Sequence, residues 1–168
     1  LRDAFARSIN TAFGRLSIEN LEPQDLNDYA ERFMFNQQIP ADFPIEMGSV
    51  TVPDSKGYEL AEIASGYNRH NSVSPAQAAM LAGAVINHGV MNIPFMVKHI
   101  YSQKGELIYS GEPLEKGAIM NPASAEKVKA LMERTVTSGT SRRSFKPLFR
   151  NSKIDIVEVG GKTGHLAG

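Results

Sequence analysis

The sequence predicts a mixed α/β fold of the α+β kind, with helices set beside an antiparallel sheet edge. Three observations predict it. Apolar residues recur at helical spacing in several separate segments, short β-branched runs are joined by turn residues, and the two kinds of segment do not alternate as strand, helix, strand. With 168 residues and 42% hydrophobic content, the chain is long enough to bury a core as one domain or a large part of one.

Phe5, Ile9, Ala12, Phe13 and Leu16 open the chain at helical spacing, which predicts two short helices or one broken helix. A further helix is expected from about Pro23 to Phe35, with Leu26, Tyr29, Ala30 and Phe33 on its apolar face. "QQIPADFPIEMGSVTVPDSKG" is punctuated by proline and reads as an irregular connection. "NSVSPAQAAMLAGAVINHGV" carries the clearest helix: Ser74 caps it, Pro75 fits its first position, Gln77 completes a capping box and Gly89 ends it. Its small residues predict a buried, closely packed helix. "MVKHIYSQKGELIYSG" predicts a hairpin turning at Gln103 to Gly105. Asn121 and Pro122 start a helix through about Val136, "GTSRRSFKPLFRNSK" reads as a polar loop, and "IDIVEV" as a final strand.

Composition excludes several functions. Eighteen basic and 18 acidic residues leave no net field to draw nucleic acid or an anionic membrane. No apolar run reaches the roughly 18 to 20 residues of a membrane span, and "LRDAFARSIN" lacks a signal-peptide pattern. The absence of cysteine excludes disulfides, thiol catalysis and Cys-ligated zinc. His70, His88, His99 and His165 show no i, i+4 pairing, so neither a metal nor a cofactor is expected.

Two short patterns can carry chemistry. In "SIN", Ser8 and Asn10 would point about 200° apart on a continuous helix, so they share a cleft only if the helix breaks between them. The plainer alternative makes Asn10 the cap of a helix beginning at Thr11. In "GGKTGH", glycines strip side chains from what reads as a strand edge, Lys162 supplies a cation and Thr163 a hydroxyl suited to a carboxylate. The alternative there is a glycine-rich strand end with a solvated lysine.

Both patterns in this order, near opposite ends of a mixed α/β chain, match two of the three motifs of penicillin-recognising serine enzymes. The chain resembles the transpeptidase domain of penicillin-binding proteins over almost its whole length. "SINTAFGRL" resembles that family's second-motif helix, and "LNDYAERFMFNQQIPADFP" its tyrosine-and-phenylalanine helix with the connection that follows. "NSVSPAQAAMLAGAVINHGVMNIPFMVKHI" is similar to its Ser-Pro-started helix and next strand, and "MERTVTSGTSRRSF" to the Gly-Thr loop before Lys-Thr-Gly. The resemblance implies a helical cluster packed on an antiparallel sheet, β-lactamase/D,D-transpeptidase-like and incomplete in this chain. Its cleft would lie between the Lys162 strand and the Ser8 loop.

By the same resemblance, Ser8 relays protons to the leaving group and Asn10 hydrogen-bonds the acyl side chain of a bound peptide or antibiotic. Lys162 and Thr163 hold the terminal carboxylate, the strand around Gly164 pairs with the ligand backbone, and the His165 N–H donates into an oxyanion hole. His165 stands where the family usually has a small hydroxyl residue. The family's nucleophile is the serine of a Ser-x-x-Lys motif placed before Ser-x-Asn, and no serine precedes Ser8. A formal match, Ser124 to Lys127, lies instead in the first turn of a later helix, where both residues have ordinary structural uses.

Residues 1–168 are therefore expected to form a partial transpeptidase domain, truncated at both ends, whose missing N-terminal part carries the nucleophile; without it the chain should not turn over. The parent is expected to be an extracytoplasmic, membrane-anchored D,D-transpeptidase that cross-links peptidoglycan stem peptides ending in D-Ala-D-Ala and is acylated by β-lactams. Alternatives are a D,D-carboxypeptidase, a serine β-lactamase or a β-lactam sensor of the same fold, and a non-catalytic cell-wall scaffold. Expected partners are the rest of the domain and other cell-wall synthesis proteins, with no nucleic acid, and the open sheet edge predicts self-association. The cluster Arg142, Arg143, Lys146 and Arg150 reads as a solvated loop or as a contact with an anionic cell-wall polymer; no aromatics interleave it as a nucleic-acid groove requires.

Overall fold

The structure is a computed structural model and describes residues 1–150 and 157–164. The opening helix is broken, as its spacing allowed. Helix α1 spans Arg2–Ala6 and α2 spans Asn10–Asn20. They are followed by α3 (Pro23–Arg32), α4 (Tyr58–Ser65) and α5 (Pro75–Ile86). Next come β1 (Val90–Ile93), β2 (His99–Tyr101), β3 (Leu107–Ser110) and β4 (Leu114–Ala118), then α6 (Pro122–Thr137) and the short α7 (Arg142–Phe145). The architecture is mixed helix and antiparallel sheet, in agreement with the predicted class.

The strands form two two-stranded antiparallel sheets, β1 with β4 and β2 with β3. In the first, Val90 faces Ala118 and Ile93 faces Leu114, with a register shift between Met91 and Asn92. The second is the predicted hairpin, turning through Gly105 at φ +83°. The core lies where α5 meets β1 and gathers Met34, Ile39, Ile45, Met80, Ala84, Met91, Ile93 and Ile119. Its connection to the sheet is tight, because Gly89 sits at φ +92° and a Cβ there would stand 2.2 Å from the Met120 carbonyl oxygen.

Three expectations need correction. Helix α5 buries Gln77, Met80, Ala84 and Val85, but Ala78, Ala79, Ala82 and Ile86 on its other sides are exposed, so only part of its surface is packed. Ser74 caps it by accepting from the Gln77 N–H, whereas the Gln77 side chain does not return the bond. That amide is fully buried and instead accepts from Gly48 N–H at 2.9 Å and donates to the Phe33 carbonyl at 3.1 Å, tying the irregular connection to α5. The segment read as a polar loop after α6 coils into α7 and a 3-10 turn at Leu148–Arg150.

The last expected strand is described only in part. Ile154 to Ile156 lie outside the described residues, and Val157 to Gly164 make no ladder with another strand among the described residues. This segment runs along α6 instead. Gly161 N–H donates to the Met132 carbonyl at 3.1 Å, the Glu158 carboxylate meets Lys129 at 2.6 Å, and Gly160 approaches so closely that a Cβ would lie 3.0 Å from that of Met132. The Lys129 ammonium holds the Glu158 carboxyl below the usual carboxylate range. The glycines thus allow backbone to pack on a helix.

Candidate active site

Helix α1 ends in a Schellman motif, with Ile9 N–H bonded to the Ala4 carbonyl and Ser8 N–H to that of Phe5. Such a motif needs a left-handed residue, normally glycine, and here Ser8 fills it at φ +54°. The break turns the chain so that Ser8 and Asn10 both line one cleft, which a continuous helix would forbid. Asn10 does not cap α2. The N-cap is Ile9 and no side chain bonds the helix start, so the Asn10 amide remains available to the cleft.

The cleft has a volume of about 1010 Å³. Phe5 and Phe13 pack edge to face at 6.2 Å and supply its aromatic lining. Lys162, Thr163 and Gly164 form part of a wall, and the C-terminal half of α4 with the loop to His70 forms another. Sequence residues 154 apart meet here: the Lys162 ammonium donates to Ser8 Oγ at 2.8 Å and to the Thr163 carbonyl at 2.8 Å. It also stands 5.8 Å from the centroid of the Phe5 ring. Burial pushes the Lys162 pKa down, because removing water disfavours the charged amine.

A turn after α6 holds the two motifs in one frame. Thr140 N–H donates to the Ala6 carbonyl at 3.0 Å, and Thr140 Oγ1 lies 2.8 Å from Thr163 Oγ1. Gly139 makes this possible, since a Cβ there would stand 2.2 Å from the Ala6 oxygen. Arg134 on α6 adds an ion pair, donating from Nε and Nη2 to Asp3 Oδ1 at 3.1 and 2.9 Å. Its guanidinium holds the Asp3 carboxyl below the usual range.

Among the site residues expected from sequence, Ser8, Asn10, Lys162, Thr163 and Gly164 come together, while His165 lies outside the described residues. Ser124 sits in the first turn of α6 with its N–H bonded to the Asn121 side chain, and neither it nor the exposed Lys127 lines the cleft. Sequence reasoning missed Glu62, Tyr67 and Arg69, and read His70 only as a surface or satisfied histidine; all four line the cleft. Helix α4, which carries Glu62 and leads into the loop bearing Tyr67, Arg69 and His70, was not anticipated, although Gly66 after the apolar Leu60, Ile63 and Ala64 is a helix-stop signal, and it caps α4 at φ +72°. Among the described residues no cluster of three His, Asp or Glu side chains is placed to hold a metal ion.

The strained serine gives a testable trade-off. Ser8→Gly is expected to stabilise the fold by about 1 kcal/mol, by relieving a left-handed Cβ, while lowering any activity that uses the hydroxyl. Urea unfolding checks this, and a lowered midpoint would show that the Lys162 bond outweighs the strain.

The sequence model of the penicillin binding protein transpeptidase domain matches residues 1–165. No curated protein sequence matches the chain. The D,D-transpeptidase domain of a peptidoglycan glycosyltransferase from Eggerthella lenta is similar at 28% identity and TM-score 0.75, over 98% of this chain and 41% of that one. Penicillin-binding protein A from M. tuberculosis, solved as a ceftriaxone acyl-enzyme complex, superposes with TM-score 0.80 at 22% identity, over 98% of this chain and 34% of that one. Penicillin-binding protein 2B from Streptococcus pneumoniae gives TM-score 0.69 at 19% identity, over 97% and 29%. The last two, at these identities, speak for the fold. The chain spans less than half of each of these solved chains. With the family matched over residues 1–165 and the fold shared, the chain belongs to the penicillin-binding protein transpeptidase domain family.

Proposed function

We propose that this chain forms the substrate-binding part of a serine D,D-transpeptidase, which takes the D-Ala-D-Ala end of a peptidoglycan stem peptide and cross-links it to a neighbouring strand. The observation that carries this reading is the Lys162 ammonium 2.8 Å from Ser8 Oγ, in a cleft that also presents Asn10 and Thr163. A cation and a hydroxyl side by side suit a terminal carboxylate. In this reading Lys162 and Thr163 hold that carboxylate and the Asn10 amide bonds the acyl side chain. Backbone at Gly164 pairs with the peptide, and the His165 N–H donates to the developing oxyanion.

The reaction is acyl transfer. A serine oxygen attacks the penultimate carbonyl carbon and gives its proton to a base. The peptide C–N bond then breaks, and the departing D-Ala amine takes a proton through Ser8. An acceptor amine next displaces the serine oxygen, which recovers its proton. The nucleophile this requires is a serine followed three residues on by lysine; the match at Ser124 lies outside the cleft, so the reading draws the nucleophile from other residues of the protein. β-Lactams offer the same carboxylate and a reactive amide, and are proposed as acylating ligands, as the acyl-enzyme structure of the M. tuberculosis relative illustrates for that protein. Peptidoglycan lies outside the cytoplasmic membrane, so we place the site there, on a membrane-anchored parent.

A hydrolytic reading, carboxypeptidase or β-lactamase, has one observation in its favour: Glu62 is a carboxylate in the cleft lining, where a base for water would stand. Both readings are tested by the intact mass of the full-length protein before and after penicillin. Cross-linking chemistry predicts a penicilloyl adduct that persists for many minutes. Rapid loss of the adduct supports hydrolysis, and no adduct at all overturns both.

A further inference from the structure

The cleft is larger than a terminal dipeptide needs. At about 1010 Å³ it stands at the upper end of small-molecule sites, which run to roughly 1,000 Å³. The chain around Lys162 occupies only part of its lining, and the wall from Glu62 to His70 has no role in the reading above. That wall is held by backbone hydrogen bonds, by Asn68 and by close packing of α4 on α2. Gly14 of α2 packs against Ala61 of α4, with 3.1 Å between the position of a Cβ and that of Ala61. The Tyr67 N–H closes onto the Glu62 carbonyl at 2.8 Å, and Asn68 Oδ1 accepts from the N–H groups of His70 and Asn71 at 3.0 and 2.8 Å.

The charges that line the cleft among the described residues are Lys162, Glu62 and Arg69. The Glu62 carboxylate also neighbours Tyr58, whose pKa it raises. Arg69 is exposed and makes no salt bridge among the described residues. Once Lys162 is matched by a terminal carboxylate, Arg69 is the cation left over. Its planar fork of donors suits a second carboxylate better than any neutral group.

We propose that Arg69 forms a subsite for a second carboxylate, carried on the acyl side of the ligand and distinct from the terminal carboxylate assigned to Lys162. The preferred ligand class is then a dianionic peptide end, or a β-lactam with a carboxylate on its acyl side chain. The inference rests on the transpeptidase reading, and it assigns the specificity of that site to a loop outside the Ser-x-Asn and Lys-Thr-Gly motifs.

Benzylpenicillin and its α-carboxy derivative differ by one carboxylate on the acyl side chain and make a direct probe. With the full-length protein, the second-order acylation rate of the dianionic penicillin is expected to exceed that of benzylpenicillin roughly fivefold at low salt. The ratio should shrink between about 50 and about 500 mM salt, as exposed charges are screened. Arg69→Gln should bring the ratio to about one, and Arg69→Lys should retain part of it. Equal rates in the unaltered protein, or a preference that survives Arg69→Gln, overturns the subsite while leaving the transpeptidase reading in place. If neither penicillin forms an adduct, the transpeptidase reading fails and the subsite fails with it.

Discussion

Lys162→Ala is expected to reduce β-lactam acylation of the full-length protein by roughly 100-fold or more, with its thermal unfolding unchanged. The size follows from removing a partly desolvated charge that pairs with a ligand carboxylate, an interaction whose loss costs about 2 to 5 kcal/mol. The fold should tolerate it, since among the described residues the ammonium bonds Ser8 Oγ and the Thr163 carbonyl, both of residues that line the cleft. Near-normal acylation would refute the carboxylate clamp.

The same residue sets a pH limb. Burial disfavours the charged amine, so Lys162 loses its proton at lower pH than an ordinary lysine near about 10.4. Only the ammonium clamps a carboxylate. Acylation should therefore hold on the acid side of that pKa and decline as pH rises through it, beginning below the ordinary lysine range. A rate profile for Lys162→Ala should lack this alkaline limb, and its persistence would assign the limb to another group.

Gly139→Ala is expected to destabilise the fold by about 3 kcal/mol, at the upper end for over-packing, and to lower acylation as well. The added methyl would meet the Ala6 oxygen at 2.2 Å, the Ala6 carbonyl carbon at 2.8 Å and the Thr135 Cα at 2.8 Å. All three are backbone atoms, so no side chain can swing aside, and the turn and α1 must part. Parting them stretches the bond from Thr140 to Ala6 and draws Ser8 away from Thr163. Gly83→Ala, in α5 with nothing within 4 Å of its missing Cβ, serves as a control and should be neutral or slightly stabilising. Urea unfolding of both variants decides the point; equal midpoints would mean the turn relaxes freely.

Helices α5 and α6 were legible because their ends are written locally: Ser74 and Asn121 each accept from the N–H three residues on, and proline follows each cap. Helix α4 was not legible. It is short, begins at Gly57 without a side-chain cap, and follows a polar run that reads as loop. Gln77 fits a capping box by sequence, but a buried amide serves better where two distant backbone groups need partners, and only the tertiary fold reveals them. The final glycines suggested a strand edge, whereas the same lack of side chains lets the segment lie on α6. The cleft itself was half legible. The two motifs name Ser8, Asn10, Lys162 and Thr163, while Glu62 and Arg69 enter only through the packing of α4 on α2 at Gly14 and Ala61.

The walls of the cleft therefore differ in what they can absorb over evolutionary time. The Thr163 side is fixed to α1 and α6 by backbone contacts at Gly139 and Gly160, which leave no room for a new side chain. The Arg69 side hangs on a loop whose hydrogen bonds come from Asn68 and the main chain, so the side chains at Tyr67, Arg69 and His70 can be exchanged at little structural cost. On the proposed transpeptidase reading, selection by a β-lactam would have its freedom on that loop, and substitutions that alter drug preference while sparing the protein should accumulate there first.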